Sequence, residues 1–226
     1  MSTRRFRSLG WWILAIPLIA MACTVLPPQK DTTQFYILTP TPEIASSGSS
    51  PVASQRKLSI GLGPIDFPGY LKRREIVTRI SGDQLHLSQN KLWAESLDSN
   101  FQRVLGQDLG MQLGTQRIVL FPWYGRPQLD YQVEVQVQRF DTDDTNRSQL
   151  NARWIIKDGK TGRELLANES NISGTVSSAD VAGSEALSSD VNTLSSRIAQ
   201  SLLGLIEGNG TAAELHNLSV AKLSER

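Results

Sequence analysis

The chain has 226 residues, with 23 Lys and Arg against 22 Asp and Glu, 39% hydrophobic residues and a single cysteine. The near-neutral balance supplies no basic face for nucleic acid, and one cysteine excludes an internal disulfide, so a stable fold has to rest on its own core. The length fits one domain, with or without a tether.

Residues 1–9 carry Arg4, Arg5 and Arg7 and no acid, and residues 10–22, "GWWILAIPLIAMA", are uncharged and apolar. These are the n-region and h-region of a signal peptide over 1–22. The apolar run falls short of the about 20 residues that cross a bilayer as a helix, and Pro17 would weaken a longer one. Ala20 and Ala22 followed by Cys23 resemble the lipobox of bacterial lipoproteins. That resemblance implies cleavage after Ala22 and a covalent diacylglycerol and N-acyl lipid on Cys23, with no other cofactor. More than one acyl chain gives an anchor that does not readily leave a membrane. Thr24, where aspartate often marks inner-membrane retention, points by the same resemblance to the periplasmic face of the outer membrane. Loss of Arg4, Arg5 and Arg7 with the leader leaves the mature chain slightly acidic.

Residues 23–34 read as a lipidated tether, and 35–207 as a single domain. "QFYILTP" predicts a short strand stopped by Pro40, and the Ser/Pro-rich stretch 39–56 a flexible loop. Leu58, Ile60 and Leu62 alternate as a strand; Ile76, Thr78 and Ile80, then Leu85 and Leu87, predict a hairpin. Between them Phe67, Tyr70 and Leu71 lie among Pro64, Pro68 and Gly69. Large apolar groups in such a loop either close a core or form a partner or oligomer surface, and both readings stand. Ala94, Leu97, Phe101, Val104, Leu105 and Leu109 predict a helix over 91–112 with one apolar side, which places Trp93 as a packing residue at its start. "RIVLFPW" reads as a central strand ended by Pro122.

"LDYQVEVQVQRF" alternates from Leu129 to Val137 and inverts phase at Arg139 and Phe140, which predicts a strand with one buried face and a bulge or end there. Leu150, Ala152, Trp154 and Ile156 make a second strand after the acidic turn "DTDDTN", and residues 163–176 a third after "DGKTG". The three form an antiparallel meander. Leu187, Val191, Leu194, Ile198, Leu202 and Leu205 step by helical spacing through about seven turns. Residues 208–226 read as a polar, poorly ordered tail. The predicted fold class is α+β: a mixed, mainly antiparallel sheet with two long helices packed on one face.

Chemical motifs fail on inspection. "DGKTG" lacks the first glycine of a phosphate-binding loop, since Trp154 stands there. "DTDDTN" has Asn146 and Ala152 where an EF-hand needs glycine and glutamate. The Asn-x-Ser triplets at Asn146, Asn168, Asn171 and Asn217 carry no weight behind a bacterial lipobox. His86, on a polar strand face, and His216 leave little for a catalytic triad, and neither a catalytic site nor a metal site is nominated. Arg79 reads as a buried structural ion-pair partner.

The lipobox, "FYIL", "EIVTR", "WAESLDSNFQRVL" and "DVAGSEALSSDVNTLSSRIAQSL" together resemble the PqiC/YmbA family of auxiliary lipoproteins of ABC-type and MCE-type transport systems. Arg79, Trp93, Leu97 and Leu105 carry the best part of the match. The glycine-rich "GLGPIDFPGY" and the long serine-rich loop depart from the family pattern. The resemblance implies no enzymatic activity. It implies an outer-membrane lipoprotein forming a homo-oligomeric ring and docking an MCE-domain protein that conducts phospholipid between membranes. A lipoprotein of a secretion or cell-wall complex and a membrane-tethered periplasmic hydrolase are the alternatives.

Overall fold

The thirteen-residue strand β6 (Tyr131–Asp143) is the spine of the sheet. In the computed structural model, which describes residues 32–40, 58–145, 147–177 and 182–224, β6 pairs on one side with β7 (Arg147–Asp158) and on the other with two shorter strands in turn. Those are β2 (Ile60–Asp66), parallel beside Tyr131–Gln136, and β3 (Glu75–Arg79), parallel beside Thr142 and Asp143. Tyr131, Val133, Val135 and Val137 are buried while Gln136 and Gln138 face solvent, as the alternation required. The register slips between Val137 and Arg139, where the sequence phase inverts.

β8 (Glu164–Thr175) completes the meander on β7. β4 (Leu85–Trp93) forms the hairpin with β3, and β1 (Gln34–Tyr36) lies parallel to β4. β5 (Ile118–Leu120) lies parallel to β2. Helix α1 (Leu97–Leu113) packs on β2 and β5, helix α2 (Ser184–Ser224) on β7 and β8, and the helices pack on each other. The result is the α+β fold: a mixed eight-stranded sheet, antiparallel in its longest ladders, with two helices.

One apolar layer fills the space between helices and sheet. Leu97, Phe101, Val104, Leu105 and Leu109 of α1 meet Leu187, Val191, Leu194, Ile198 and Leu202 of α2 and the inner residues of β2, β6 and β7 in a single cluster. Trp154 sits within it, its indole donating to Ser170 Oγ at 3.0 Å. Asn100 of α1 acts as a surrogate strand: its Oδ1 accepts from Leu38 N at 2.6 Å and its Nδ2 donates to Leu38 O at 3.2 Å. The segment after β1 is thereby tied to the helix layer without leaving buried backbone groups unpaired.

Several sequence expectations change. β4 runs through Trp93, so α1 begins at Leu97, not at 91, and Ala94 is exposed. Pairing of Lys91, Leu92 and Trp93 with β1 holds those residues extended. "RIVLFPW" is a short edge strand, because β6 takes the other side of β2; Leu120 and Phe121 remain partly exposed. Leu205 of the expected stripe is half-buried against the core, and Ile206 beside it is fully buried. That helix continues to Ser224, where a tail was expected from 208; residues such as Ala212, Ala213, Glu214 and Leu215 favour helix and no proline interrupts it. The leader, Ala22, Cys23, the tether up to residue 31 and the loop from 41 to 57 lie outside the described residues.

Asp190 of α2 is buried, 2% exposed, against Ser148 of β7, with Oδ2 lacking a hydrogen-bond partner. Burial raises its carboxyl from 3.8 to about 6, against the opposing hydrogen bond from Ser148. A folded-state value above the unfolded one means that this group's stabilisation is complete below pH 3.8 and is lost as pH rises through about 6. Asp190→Asn is therefore expected to stabilise the protein by about 2 kcal/mol at pH 7.5 and by nothing at pH 4, at 1.36 kcal/mol per pKa unit less some rehydration. Urea unfolding of both proteins at the two pH values checks it; equal stability at pH 7.5 would show that the carboxylate is solvated.

Candidate functional site

The stretch "DFPGYLKRRE" crosses one rim of the sheet. Pro68 precedes a single 3-10 turn, Gly69–Leu71, closed by Leu71 N donating to Pro68 O at 3.0 Å. The turn sends its large side chains to two places. Phe67 and Leu71, each 3% exposed, enter the core, and Phe67 meets Phe101 edge to face with ring centroids 5.2 Å apart. The partner-surface reading is corrected for these two residues: their side chains close the core. Tyr70 is half-buried on the other side and retains an exposed edge.

Tyr70 belongs to a polar cluster built around Asp141, whose side chain is fully buried. Arg79, at the end of β3, donates from Nη2 to Asp141 Oδ2 at 3.0 Å and from Nη1 to Gly82 O at 3.0 Å. Arg139 donates from Nε to Oδ1 at 2.7 Å, and the Tyr70 hydroxyl to Oδ2 at 3.3 Å. The Arg79 guanidinium also lies 6.0 Å from the Tyr70 ring centroid, within cation–π range. Burial, and then the Asp141 charge, raise the Tyr70 phenol above 10, with Arg79 opposing, so the hydroxyl stays protonated and donates.

Two guanidiniums thus share one carboxylate, and both oxygens of Asp141 are occupied. The arrangement is suited to clamping β3, β6 and the 3-10 turn together around a carboxylate that is closed to solvent. Arg79 is the ion-pair partner read from the sequence. Its partner was missed, because Asp141 was read as part of an acidic turn. The turn is made by Asp143, whose Oδ1 accepts from Thr145 N at 3.0 Å and Arg147 N at 3.0 Å. The available signal was the spacing of Arg139 and Asp141, since residues i and i+2 of a strand share a face. Trp93 is buried, as expected of a packing residue, but it ends β4 and does not open a helix. His86 is exposed on β4. Among the described residues no group of three or more His, Cys, Asp or Glu is placed to hold a metal ion. No helix among them is long and apolar enough to cross a membrane.

A family model described as the ABC-type transport auxiliary lipoprotein component matches residues 36–199, from the end of β1 into α2. The chain belongs to this family. The match takes in the whole β-sheet after β1, the rim cluster, α1 and the core face of α2 as far as Ile198 and Ala199. The family consists of lipoprotein components of transport systems. Its members are membrane-anchored in the cell envelope, work with partner proteins, and do not form an enzyme family. Among solved structures, XCC0632 from Xanthomonas campestris, of the DUF330 family, shares the fold with a TM-score of 0.61 at 12% identity, over 79% of this chain and 99% of that one. An uncharacterized protein shares it with a TM-score of 0.59 at 16% identity, over 75% of this chain and 98% of the other. No curated protein matches the chain.

Proposed function

We propose that the protein is an outer-membrane lipoprotein facing the periplasm, and that it is a docking component of an MCE-type system moving phospholipid between the two membranes. The observation that carries the reading is the family match over residues 36–199 in a chain whose single cysteine, Cys23, follows an arginine-led apolar run. Lipid on Cys23 pins the protein to the membrane, residues 24–34 give reach, and the α+β domain, assembled as a homo-oligomeric ring, receives the end of the partner's hydrophobic conduit. Of Phe67, Tyr70 and Leu71, Tyr70 keeps an edge for such a contact. The protein acts by binding and positioning, with no bond made or broken and no cofactor beyond its own acyl chains.

Affinity purification of the full-length lipoprotein from gently solubilised membranes, with mass spectrometry of co-purifying proteins, tests this reading. An MCE-domain protein is expected with the wild type and in clearly reduced amount with Cys23→Ala. Recovery of the protein alone, or with secretion or cell-wall components, would reject the transport assignment.

A further inference from the structure

An open cleft of about 710 Å³ lies where three separate segments meet: the start of β5, the loop from β5 to β6, and the turn from β7 to β8. Each segment contributes a cation to its lining: Arg117, Arg126 and Lys160. The lining also holds one carboxylate, Asp130, whose Oδ2 accepts from Ser59 N at 2.8 Å, so three cations stand against one acid. Glu134, two residues beyond the lining Gln132, is held by Lys157 at 2.6 Å. Arg126 and Lys160 have no carboxylate within ion-pair distance among the described residues. The cleft therefore carries an excess of positive charge in a chain that is otherwise close to neutral.

Its walls are fixed by the fold. The Trp123 indole donates to Val119 O at 3.2 Å and lies against Gly61, where an added Cβ would come within 2.8 Å of the ring. Gly159 N donates to Asp130 O at 2.9 Å, and an added Cβ at Gly159 would overlap the Leu129 carbonyl. The β7–β8 turn is thereby held close enough for Lys160 to face the cleft. Trp123 and Gly159 are tied to the sheet, while a ligand would still have to order the exposed side chains of Arg126 and Lys160.

We infer that this cleft binds the phosphate of a phosphate ester, with the polyol of its alcohol beside Gln128 and Gln132. Arg126 and Lys160, without a carboxylate partner among the described residues, suit an oxyanion, and arginine's planar fork matches phosphate oxygens in particular. The cleft is larger than inorganic phosphate fills and lies within the range of about 300–1,000 Å³ usual for small-molecule sites. Gln128 adds an amide side chain for hydroxyls and Gln132 its Oε1 acceptor, since Gln132 Nε2 donates to Gly63 O at 3.2 Å and Glu134 Oε1 at 2.9 Å; Trp123 and Pro127 offer apolar surface beside them. The glycerophosphate end of an anionic phospholipid and a soluble sugar or glycerol phosphate share this chemistry. The site stands whether or not an MCE-domain protein is the partner.

Isothermal titration of the full-length lipoprotein in non-ionic detergent, with glycerophosphoglycerol, glycerol 3-phosphate and inorganic phosphate, tests the site. These probes are water-soluble and do not partition into micelles. Glycerophosphoglycerol is expected to bind more tightly than inorganic phosphate and to lose at least tenfold in affinity in Arg126→Ser/Lys160→Ser. This result assigns the site to a lipid headgroup. Preference for glycerol 3-phosphate, with the same loss in the variant, assigns it to a soluble phosphate ester. Absence of heat with all three probes, affinity unchanged in the double variant, or inorganic phosphate binding as tightly as both esters overturns the inference. Both substitutions are at exposed positions, so an unchanged unfolding midpoint is expected and separates lost binding from lost folding.

Discussion

Phe101→Ala is expected to lower the unfolding free energy by about 4 kcal/mol, the middle of the range for a buried phenylalanine. Phe101 is fully buried and stands between Phe67 and Phe140, edge to face with both at 5.2 and 5.3 Å. It therefore joins α1 at once to the loop after β2 and to the far half of β6. Each such ring pair contributes about 0.5–1.5 kcal/mol beyond the area it buries, and two large neighbours on separate elements cannot close onto the void together. Phe101→Leu, which fills most of the space, is expected to lose about 1.5 kcal/mol, as for a core swap that keeps apolar volume. Urea unfolding with the slope held constant measures both. A loss under about 2 kcal/mol for Phe101→Ala would show that the core collapses around the site and that the ring stack is not its centre.

Asp141→Ala is expected to cost about 3 kcal/mol, near the lower end for removal of one partner from a buried ion pair. The reason lies in what it leaves behind. Arg79 and Arg139 are 20% and 22% exposed, so each is partly rehydrated, yet the two guanidiniums would face each other with no carboxylate between them. Arg79→Met is expected to cost less, about 1 kcal/mol, because Asp141 keeps Arg139 and the Tyr70 hydroxyl, and a hydrogen bond to a charged group contributes about 1.5–3 kcal/mol before desolvation is offset. The order of the two variants is the decisive reading in urea unfolding. If Arg79→Met were the more damaging, Arg79 would be acting through contacts other than Asp141, and the cluster would not be a clamp organised on the carboxylate.

The candidate site was only half legible in the sequence. Arg79 reads from its strand as a structural ion-pair partner, but the sequence does not say of which acid. That partner lies 62 residues away on a strand reached through the whole α1–β5 crossover. No local pattern encodes such a meeting. The cleft of Arg117, Arg126 and Lys160 was less visible still, since its three cations belong to three connections and none falls in a charge run. "DGKTG" was correctly set aside as a phosphate-binding loop by its spacing, yet its lysine lines the cleft by virtue of the turn it sits on.

What the amino-acid order determined by itself is periodic or covalent in origin. The alternation of "YQVEVQVQ", the meander after it and the helical stripe from Leu187 to Leu202 are local consequences of burying one face. The expectation of a leader over 1–22 followed by Cys23 likewise rests on contiguous residues alone. The tertiary structure decided the rest, because the rest depends on neighbours in space. "RIVLFPW" became an edge strand since β6 already held the inner side of β2. Residues 91–93 stayed extended since β1 offered them a ladder. Phe67 and Leu71 turned inward while Tyr70 turned to Asp141, because one helical turn sends successive side chains to different faces, and only the packed core determines which face is buried.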